Sequence, residues 1–353
     1  MKIIFRQIII TLSIVILLYG IFYAVTIRTY PEETTLDANL PVGIFSGSVD
    51  RIVMNRKFFR NDSKKIIFVG SSNVREGFRP NEFAAPFPDY EIFNLGTGAS
   101  NITQLLQIVK LVYEVLPEHL PEPPTFVLGI FYGSFVDDTA RWKGGNTSIE
   151  DEQLRYFLYK KVNGQIVPQI PQDAFPVYVN LLKPFLAFSN LLGSVEGKVK
   201  LFFENMARRS MRRGGDGGMG NVDANDIVVN EEIKTRGHKY WNEYMGRPDG
   251  TLSQEQFDRL IELVEYLQAK GARLLVVDLP LPRWHTQEQP LYADYLQRRE
   301  PYLKKMMAYP NIAYLDMTDL NQEQDFYDSA HPKPKITHQW AERVARGLKQ
   351  SVK

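Results

Sequence analysis

The sequence predicts an α/β fold in which a parallel sheet carries helices on both faces. Short apolar runs alternate with segments whose apolar residues recur at helical spacing, and this alternation is typical of parallel sheets. Most of the apolar runs are followed by turns that contain glycine or serine. Because chemistry gathers at the carboxyl ends of parallel strands, we expect a functional site at those turns.

Five short apolar runs bounded by turn residues are the candidate strands, and three longer segments are the candidate helices. A short apolar run bounded in this way is typical of a buried parallel strand. The predicted strands span residues 66–69, 90–95, 125–131, 273–279 and 311–315. The predicted helices span residues 102–116, 253–271 and 336–348, with Ser253 as an N-cap and Gly271 as a terminator.

An uncharged apolar run covers residues 8–27 and is long enough to cross a bilayer core of roughly 30 Å as a helix. Lys2 and Arg6 precede it, so the positive-inside bias predicts a cytoplasmic N-terminus and an extracytoplasmic remainder, periplasmic or extracellular. No good small-residue cleavage site closes the run. We therefore expect an uncleaved single-pass anchor, with a removed signal peptide as the alternative.

These patterns divide the chain into five predicted segments. They are a cytoplasmic tip and anchor at 1–28, a juxtamembrane segment at 29–62, a first core part at 63–139, an insertion at 140–250 and a second core part at 251–353.

The insertion breaks the alternation of strands and helices. It contains aromatic-rich helical patches (177–203 is one), a basic run at 208–213 and a glycine-rich stretch at 214–220, which predicts a loop. Two interpretations stay open: a structural elaboration of the core, or a lid or acceptor platform at the membrane surface. In the second, its aromatics stack on sugar rings and its arginines meet anionic lipid or polymer.

Composition excludes several classes of function. The 353-residue chain has a net charge of +1, and no domain-wide basic excess points to nucleic acid. The sequence has no cysteine, which excludes disulfides, thiolate zinc sites and a cysteine nucleophile. We expect neither a metal nor an organic cofactor.

The first predicted strand ends in Gly70, Ser71 and Ser72. A serine on a tight turn after a strand is exposed at the sheet edge, and its own backbone N–H can contribute to an oxyanion hole. Ser72 is therefore a candidate nucleophile, and Ser71 is the neighbouring alternative. A serine in this position is also a common helix N-cap, so the motif alone does not decide the question.

A candidate acid–base pair lies near the C-terminal end, where Asp328 precedes His331 by three residues. Histidine is the usual general base for a serine, and a carboxylate that accepts its Nδ1–H holds the tautomer whose Nε2 faces the serine. The other four histidines lack such a partner in sequence; they are His119, His238, His285 and His338.

Together these motifs resemble the SGNH (GDSL-type) hydrolase superfamily, which implies a flavodoxin-like three-layer fold. Ser72 matches the nucleophile of the first block, and Ser71 replaces its aspartate. The stretch Asn94 to Gly98 resembles the second block, which implies Gly98 as an oxyanion donor, with Gly96 as the alternative.

The third block of the superfamily is incomplete, whereas the final block, Asp328 to Pro332, matches well. Residues 131–135 lack the family's asparagine, and Ser134 falls near its place, so the resemblance implies Ser134 as a substitute donor. An N-terminal anchor, Gly-Ser-Ser and an incomplete third block are similar to the DltD family, whose members act beside membrane-bound O-acyltransferases.

This resemblance implies a membrane-anchored serine acyltransferase or esterase. We expect it to act through an acyl-serine on O-acyl groups, acetyl or D-alanyl, of a cell-envelope glycopolymer or lipid-linked polymer, beside a membrane-bound O-acyltransferase. Two alternatives remain: a general esterase, lipase, thioesterase or deacetylase, and a non-catalytic subunit of an acylation complex that retains the fold.

Overall fold

A computed structural model describes most of the chain outside parts of the insertion and the segment that follows the first helix. The described residues are 2–29, 48–54, 59–117, 119–137, 148–154, 158–171, 223–245, 249–287 and 289–351, with a few positions between 174 and 184. The predicted basic run at 208–213, the glycine-rich stretch at 214–220 and most of the helical patch at 177–203 lie outside them.

A five-stranded parallel sheet forms the centre of the fold. Its strands are β1 (Lys64–Val69), β2 (Tyr90–Asn94), β3 (Thr125–Ile130), β6 (Arg273–Asp278) and β7 (Ile312–Asp316), in the order β2-β1-β3-β6-β7. All four strand pairs are parallel. This order is that of flavodoxin-like doubly wound sheets, so the predicted fold class is confirmed.

The strands form where the sequence is continuously apolar because helices cover both faces of the sheet. Every residue of β3 is buried, as is every residue of β1 after Lys64. In register, Ile66 lies between Ile92 of β2 and Thr125 of β3, and Val276 of β6 pairs with Leu128 and Tyr314. The predicted strands therefore agree with the observed ones to within a few residues at each end.

Eleven α-helices accompany the strands in the described part of the chain. They are α1 (Lys2–Thr29), α2 (Ser48–Met54), α3 (Ser72–Gly77), α4 (Pro80–Ala84), α5 (Ile102–Val115), α6 (Ile149–Leu154), α7 (Glu231–Lys239), α8 (Gln254–Ala269), α9 (Arg283–Gln287), α10 (Pro290–Met306) and α11 (Thr337–Ser351). Helices α5 and α8 pack against each other, and α11 packs on α3, α4, β6 and β7.

Capping agrees with the sequence only in part. Ser253 occupies the N-cap position of α8, but its side chain makes no capping hydrogen bond. Asn101, by contrast, does cap its helix, α5, because its side chain accepts a hydrogen bond from the Gln104 N–H. Gly271 follows α8 with φ of 68°, a left-handed conformation in which glycine is the usual residue.

Several regular elements were not predicted, among them most of the short helices, one long helix and a hairpin. Helix α10 has 17 residues, begins at Pro290 and contains Pro301, and the internal proline obscures its helical pattern. Strands β4 (Tyr159–Val162) and β5 (Gln165–Pro168) form a separate antiparallel hairpin inside the predicted insertion.

Contacts group the chain into two units. One contains α1 and the hairpin β4–β5, and the other contains the sheet together with residues 222–353. In the first unit, the segment Ile4–Val25 of α1 has a mean hydropathy of 2.6 and none of it is buried. By length and composition this helix can cross a membrane. The second unit also contains α7 and the π-helical turn that continues it, Tyr240–Met245.

Candidate active site

Ser72 is the first residue of α3, directly after the turn that ends β1. Ser71 occupies the N-cap position, yet its side chain makes no capping hydrogen bond. The Ser71 hydroxyl donates instead to Oδ1 of Asn73 at 3.0 Å. Ser71 therefore occupies the N-cap position by its backbone, but neither the Ser71 nor the Ser72 hydroxyl caps the helix.

Glycines allow α3 to sit directly on the strand ends. A Cβ on Gly70 would lie 2.2 Å from the Val74 side chain and 2.9 Å from the carbonyl oxygen of Gly129. A Cβ on Gly129 would lie 2.3 Å from the same Val74 side chain. Gly70 is thus required by close packing, and that packing brings Ser72 to the carboxyl edge of the sheet.

Three predicted residues meet at that edge. Nε2 of His331 lies 2.7 Å from Oγ of Ser72, and Nδ1 of His331 lies 2.7 Å from Oδ2 of Asp328. In this geometry Nδ1–H donates to the carboxylate, so Nε2 can accept the proton of the serine hydroxyl. Residues 72 and 331 are brought together by the sheet, because Ser72 follows β1 and the loop of His331 follows β7.

The loop itself orients the Asp328 carboxylate. Its Oδ1 accepts the backbone N–H groups of Ala330 and His331, each at 2.8 Å, while Oδ2 faces the imidazole. Burial raises the pKa of Asp328, but the hydrogen bonds and charge of His331 and these two N–H groups outweigh it. The net pKa is therefore lower than the usual value, and Asp328 is ionised at neutral pH.

The protonation of His331 reflects opposing effects. Burial lowers the pKa of this imidazole, whereas its hydrogen bond to Asp328 and the negative charges of Asp328 and Glu76 raise it more. The net pKa lies above the ordinary 6.5. Such a histidine binds a proton more strongly than a free imidazole, which makes it a stronger general base at pH values where it is neutral.

The plane of the imidazole is fixed from its side. The ring of Tyr327 stacks on the ring of His331 with a centroid separation of 5.5 Å and an interplanar angle of 12°. The Tyr327 hydroxyl donates to Glu76, whose other oxygen pairs with Arg75 at 3.1 Å. This stack and its hydrogen bond connect the histidine loop to α3, which carries Ser72.

Two further side chains hold the same loop. The buried Asn73 side chain donates from Nδ2 to the carbonyl oxygen of Ala330 at 2.7 Å. From the opposite side, the indole N–H of Trp241 donates to Oγ of Ser329 at 3.2 Å. The loop between Asp328 and His331 is therefore held by hydrogen bonds from two separate elements.

Gly98 is the residue that the resemblance implies as an oxyanion donor. It lines the same cavity as Ser72, and no hydrogen bond among the described residues uses the backbone N–H of Gly98 or of Ser72. Ala99, the next residue, has φ of 52°, an uncommon conformation for a residue other than glycine. Strained backbone of this kind is concentrated at functional sites.

Gly96 has a packing role. Its N–H donates to Oδ1 of Asn94 at 2.9 Å, and a Cβ on it would lie 2.4 Å from the backbone nitrogen of Arg75. Gly96 therefore allows the turn to approach α3, and its N–H is already used.

Ser134 is not brought to the cavity wall. It lies in the 3₁₀ turn Tyr132–Phe135, is fully buried, and its Oγ accepts the Phe131 N–H at 3.4 Å. Gly133 lines the cavity in its place. The sequence-based assignment of Ser134 as a donor fails on geometry, because the tight turn directs its hydroxyl back at the chain.

The cavity beside Ser72 has a volume of about 530 Å³, within the range of small-molecule sites. It is lined by Ser72, His331 and neighbouring polar residues, and by larger side chains from α7 and the π-turn. The latter are Ile233, Arg236, Tyr240, Trp241 and Met245. Trp241 is buried and Tyr240 is 38% exposed, so the π-turn presents one aromatic to the interior and one to the rim.

Several of these groups were missed by sequence reasoning or assigned only generally. Tyr240 and Trp241 are among the aromatics of the predicted insertion, but nothing in their spacing places them at the site. Asn73 adjoins the candidate serine, and Arg236 lies in a charged helix without a recognisable motif. Among the described residues, no group of three His, Asp or Glu side chains could hold a metal ion.

Comparisons with known proteins add little. No family model matches the chain, and no curated protein matches it either. Among solved structures, the chain is similar to a Bacteroides fragilis protein whose acylhydrolase activity is assigned provisionally, with 11% sequence identity and a TM-score of 0.41. The match covers 90% of this chain and 98% of that one. A likeness this distant carries no argument about function.

Proposed function

We propose that the protein is a serine-dependent acyltransferase or esterase that forms an acyl-enzyme on Ser72. One observation carries the proposal: a serine, a histidine and an aspartate lie in series, with 2.7 Å between successive partners, beside an accessible cavity. A hydroxyl in contact with a carboxylate-oriented imidazole is the arrangement that activates a nucleophilic serine.

The reaction follows from these contacts. Nε2 of His331 takes the proton of the Ser72 hydroxyl while Oγ attacks the acyl carbonyl, and a tetrahedral oxyanion forms. The C–O bond to the alcohol breaks as His331 returns that proton to the leaving oxygen. A second hydroxyl, or water, then loses its proton to His331 and attacks the acyl-serine, which restores free Ser72.

The backbone N–H groups of Ser72 and Gly98 are the proposed oxyanion donors, because both line the cavity and neither is used elsewhere among the described residues. A third donor of the kind that the superfamily takes from its missing asparagine is not supplied by Ser134. Losing one such donor typically lowers turnover by about 100- to 1,000-fold. Either another backbone N–H substitutes for this donor, or the enzyme is slow, or it depends on a partner.

At a finer level, we propose an extracytoplasmic enzyme that transfers O-acyl groups of a cell-envelope glycopolymer and is anchored by α1. The apolar segment Ile4–Val25 supports the anchor, and the basic residues before it support a cytoplasmic N-terminus. The resemblance to the DltD family supports a membrane-bound O-acyltransferase as partner. Simple hydrolysis by the same residues requires only that water replace the acceptor hydroxyl.

The test is an acyl-transfer assay on the full chain in a neutral detergent, with small acetyl esters as donors and glycerol or water as acceptor. Ser72→Ala should lose at least 1,000-fold in kcat, since the nucleophile is absent. Ser71→Ala is the matched control and should retain activity within about tenfold. Retained activity in Ser72→Ala would exclude the acyl-enzyme, and a folded wild-type protein without activity on any ester would favour a non-catalytic subunit.

A further inference from the structure

We infer that the catalytic cavity takes esters that carry a negative charge, a carboxylate or a phosphate, and that Arg236 binds this charge. The inference rests on the proposed function for its setting, but it concerns recognition and can be measured as binding. It assigns a substrate class to a cavity whose acyl group and acceptor are otherwise open.

Close packing places Arg236 beside the acid–base loop. It is followed by Gly237, where a Cβ would lie 3.1 Å from Cβ of Ser329 and 3.2 Å from the Trp284 ring. The absence of a side chain at Gly237 therefore lets α7 approach the loop that carries Asp328 and His331. Arg236 lines the same cavity as Ser72 and His331, and it is exposed.

The ion pairs of α7 leave Arg236 available. Lys234 pairs with Glu231 at 3.1 Å, and Lys239 pairs with Glu243 at 3.8 Å. Throughout the described part of the chain, no carboxylate pairs with Arg236. Among the described residues, Arg236 is thus a cation of this helix that lines the cavity and forms no ion pair.

The balance of charge on the cavity wall points the same way. Two guanidinium groups line it, from Arg236 and from Arg75, and the latter shares its charge with Glu76. Asp328 is the only carboxylate among the described lining residues, and it is engaged by His331 and two backbone N–H groups. Arg236 is therefore the lining charge without an ion-pair partner among the described residues, and an anionic group of a ligand can pair with it.

The shape of the wall indicates where the uncharged part of the ligand lies. Tyr240 is one helical turn after Arg236, so both side chains lie on one face of the helix and both line the cavity. Tyr240 presents an exposed ring edge or face, and Trp241 backs it from the interior. A ligand with an anionic group against Arg236 and a carbon skeleton against Tyr240 matches this arrangement, and a π-turn of this kind is often found at functional sites.

The experiment measures binding to the full-length Ser72→Ala protein in neutral detergent by calorimetry, so that no turnover occurs. Two matched pairs separate the sources of charge. Monoethyl succinate against diethyl succinate tests a carboxylate on the acyl side, and acetylated glycerol phosphate against acetylated glycerol tests a phosphate on the alcohol side. We expect the charged member of at least one pair to bind about tenfold or more tightly, as a charge-assisted hydrogen bond implies.

Adding Arg236→Gln should abolish that preference, and Arg236→Lys should restore part of it. Lys239→Gln is the control, because it removes one positive charge from the same helix at a residue that does not line the cavity. Equal affinity within both pairs, or a preference that survives Arg236→Gln, would overturn the inference.

Turnover of the same pairs by the protein with Ser72 intact separates this inference from the proposed function. A fall in kcat/KM confined to the charged ester supports recognition by Arg236, whereas an equal fall for both members of a pair would show that Arg236 acts on the transition state and would overturn it. Absence of Ser72-dependent turnover for every ester contradicts the proposed function and leaves the binding result to decide the inference.

Discussion

At the scale of single residues, the site depends on how one imidazole is charged. His331 would have a low pKa from burial alone, and Asp328 reverses this by a hydrogen bond and by its charge. Asp328 remains ionised because the loop donates two backbone N–H groups to it. The carboxylate therefore has two effects, since it raises the basicity of His331 and holds the tautomer that faces Ser72.

The pH dependence of turnover tests this balance. His331 must be neutral to accept the serine proton, so kcat/KM should rise with pH through a midpoint above 6.5, the ordinary histidine value. In Asp328→Asn the two larger influences that raise the pKa of His331 are lost, while burial and the smaller effect of Glu76 remain, so the midpoint should move to lower pH. Turnover should also fall on the order of 10³- to 10⁴-fold, because the tautomer is no longer held.

The measurement is a pH–rate profile of the wild type and of Asp328→Asn with one neutral ester. Asp325→Asn serves as the control, since it removes a carboxylate from the same region without contact to the imidazole. A midpoint that does not respond to Asp328→Asn would show that another group titrates.

At the scale of elements, the site is an assembly of α3, the loop after β7 and the π-turn. Asn73 joins α3 to the loop through Ala330, and Trp241 joins the π-turn to it through Ser329. Catalytic geometry needs such supporting contacts, because a displacement of about 1 Å can cost on the order of 100-fold in rate.

A double-mutant cycle tests the contact between the π-turn and the loop. Trp241→Phe keeps most of the ring and removes the indole N–H, and Ser329→Ala removes the acceptor. Each single variant should lower kcat by about 3- to 10-fold with a smaller effect on KM, because the hydrogen bond positions the loop. The double variant should be no slower than the worse single variant, since both changes remove the same contact.

Additive losses in the cycle would mean that the two residues act independently. Thermal unfolding of the wild type, the two single variants and the double variant provides the control. If the hydrogen bond only stabilised the fold, the variants would unfold at lower temperature, but kcat would not fall more than KM changes.

Local sequence patterns could predict the strands, the helices α5, α8 and α11, and the three residues Ser72, Asp328 and His331. Continuous apolar runs require burial on both faces, and a serine, or an aspartate with a histidine three residues on, is a local motif. The pairing of Ser72 with His331 also follows from the parallel sheet, which places both turns at one edge.

Other parts of the site depend on contacts between residues distant in sequence. Asn73 binds a carbonyl 257 residues away, and Trp241 reaches the loop only because α7 continues as a π-turn. Ser134 was misassigned because alignment to a motif gives a position in the chain, whereas the 3₁₀ turn decides where the hydroxyl points. Helix α10 was missed because Pro301 lies inside it.

At the scale of the whole molecule, one chain combines an apolar helix with a unit that contains the candidate active site. The segment Ile4–Val25 can cross a bilayer by its length and composition, and the sheet unit contains every residue of the candidate site. The proposed consequence is an enzyme confined to a membrane surface.

A fluorophosphonate probe reacts with activated serine nucleophiles, so it shows whether His331 activates Ser72. The full chain is treated with the probe in neutral detergent, digested, and mapped by mass spectrometry. We expect one adduct, on Ser72, that persists in Ser71→Ala. It should be absent in Ser72→Ala and should form much more slowly in His331→Ala. An adduct on Ser71, or no adduct on the folded wild-type protein, would contradict it.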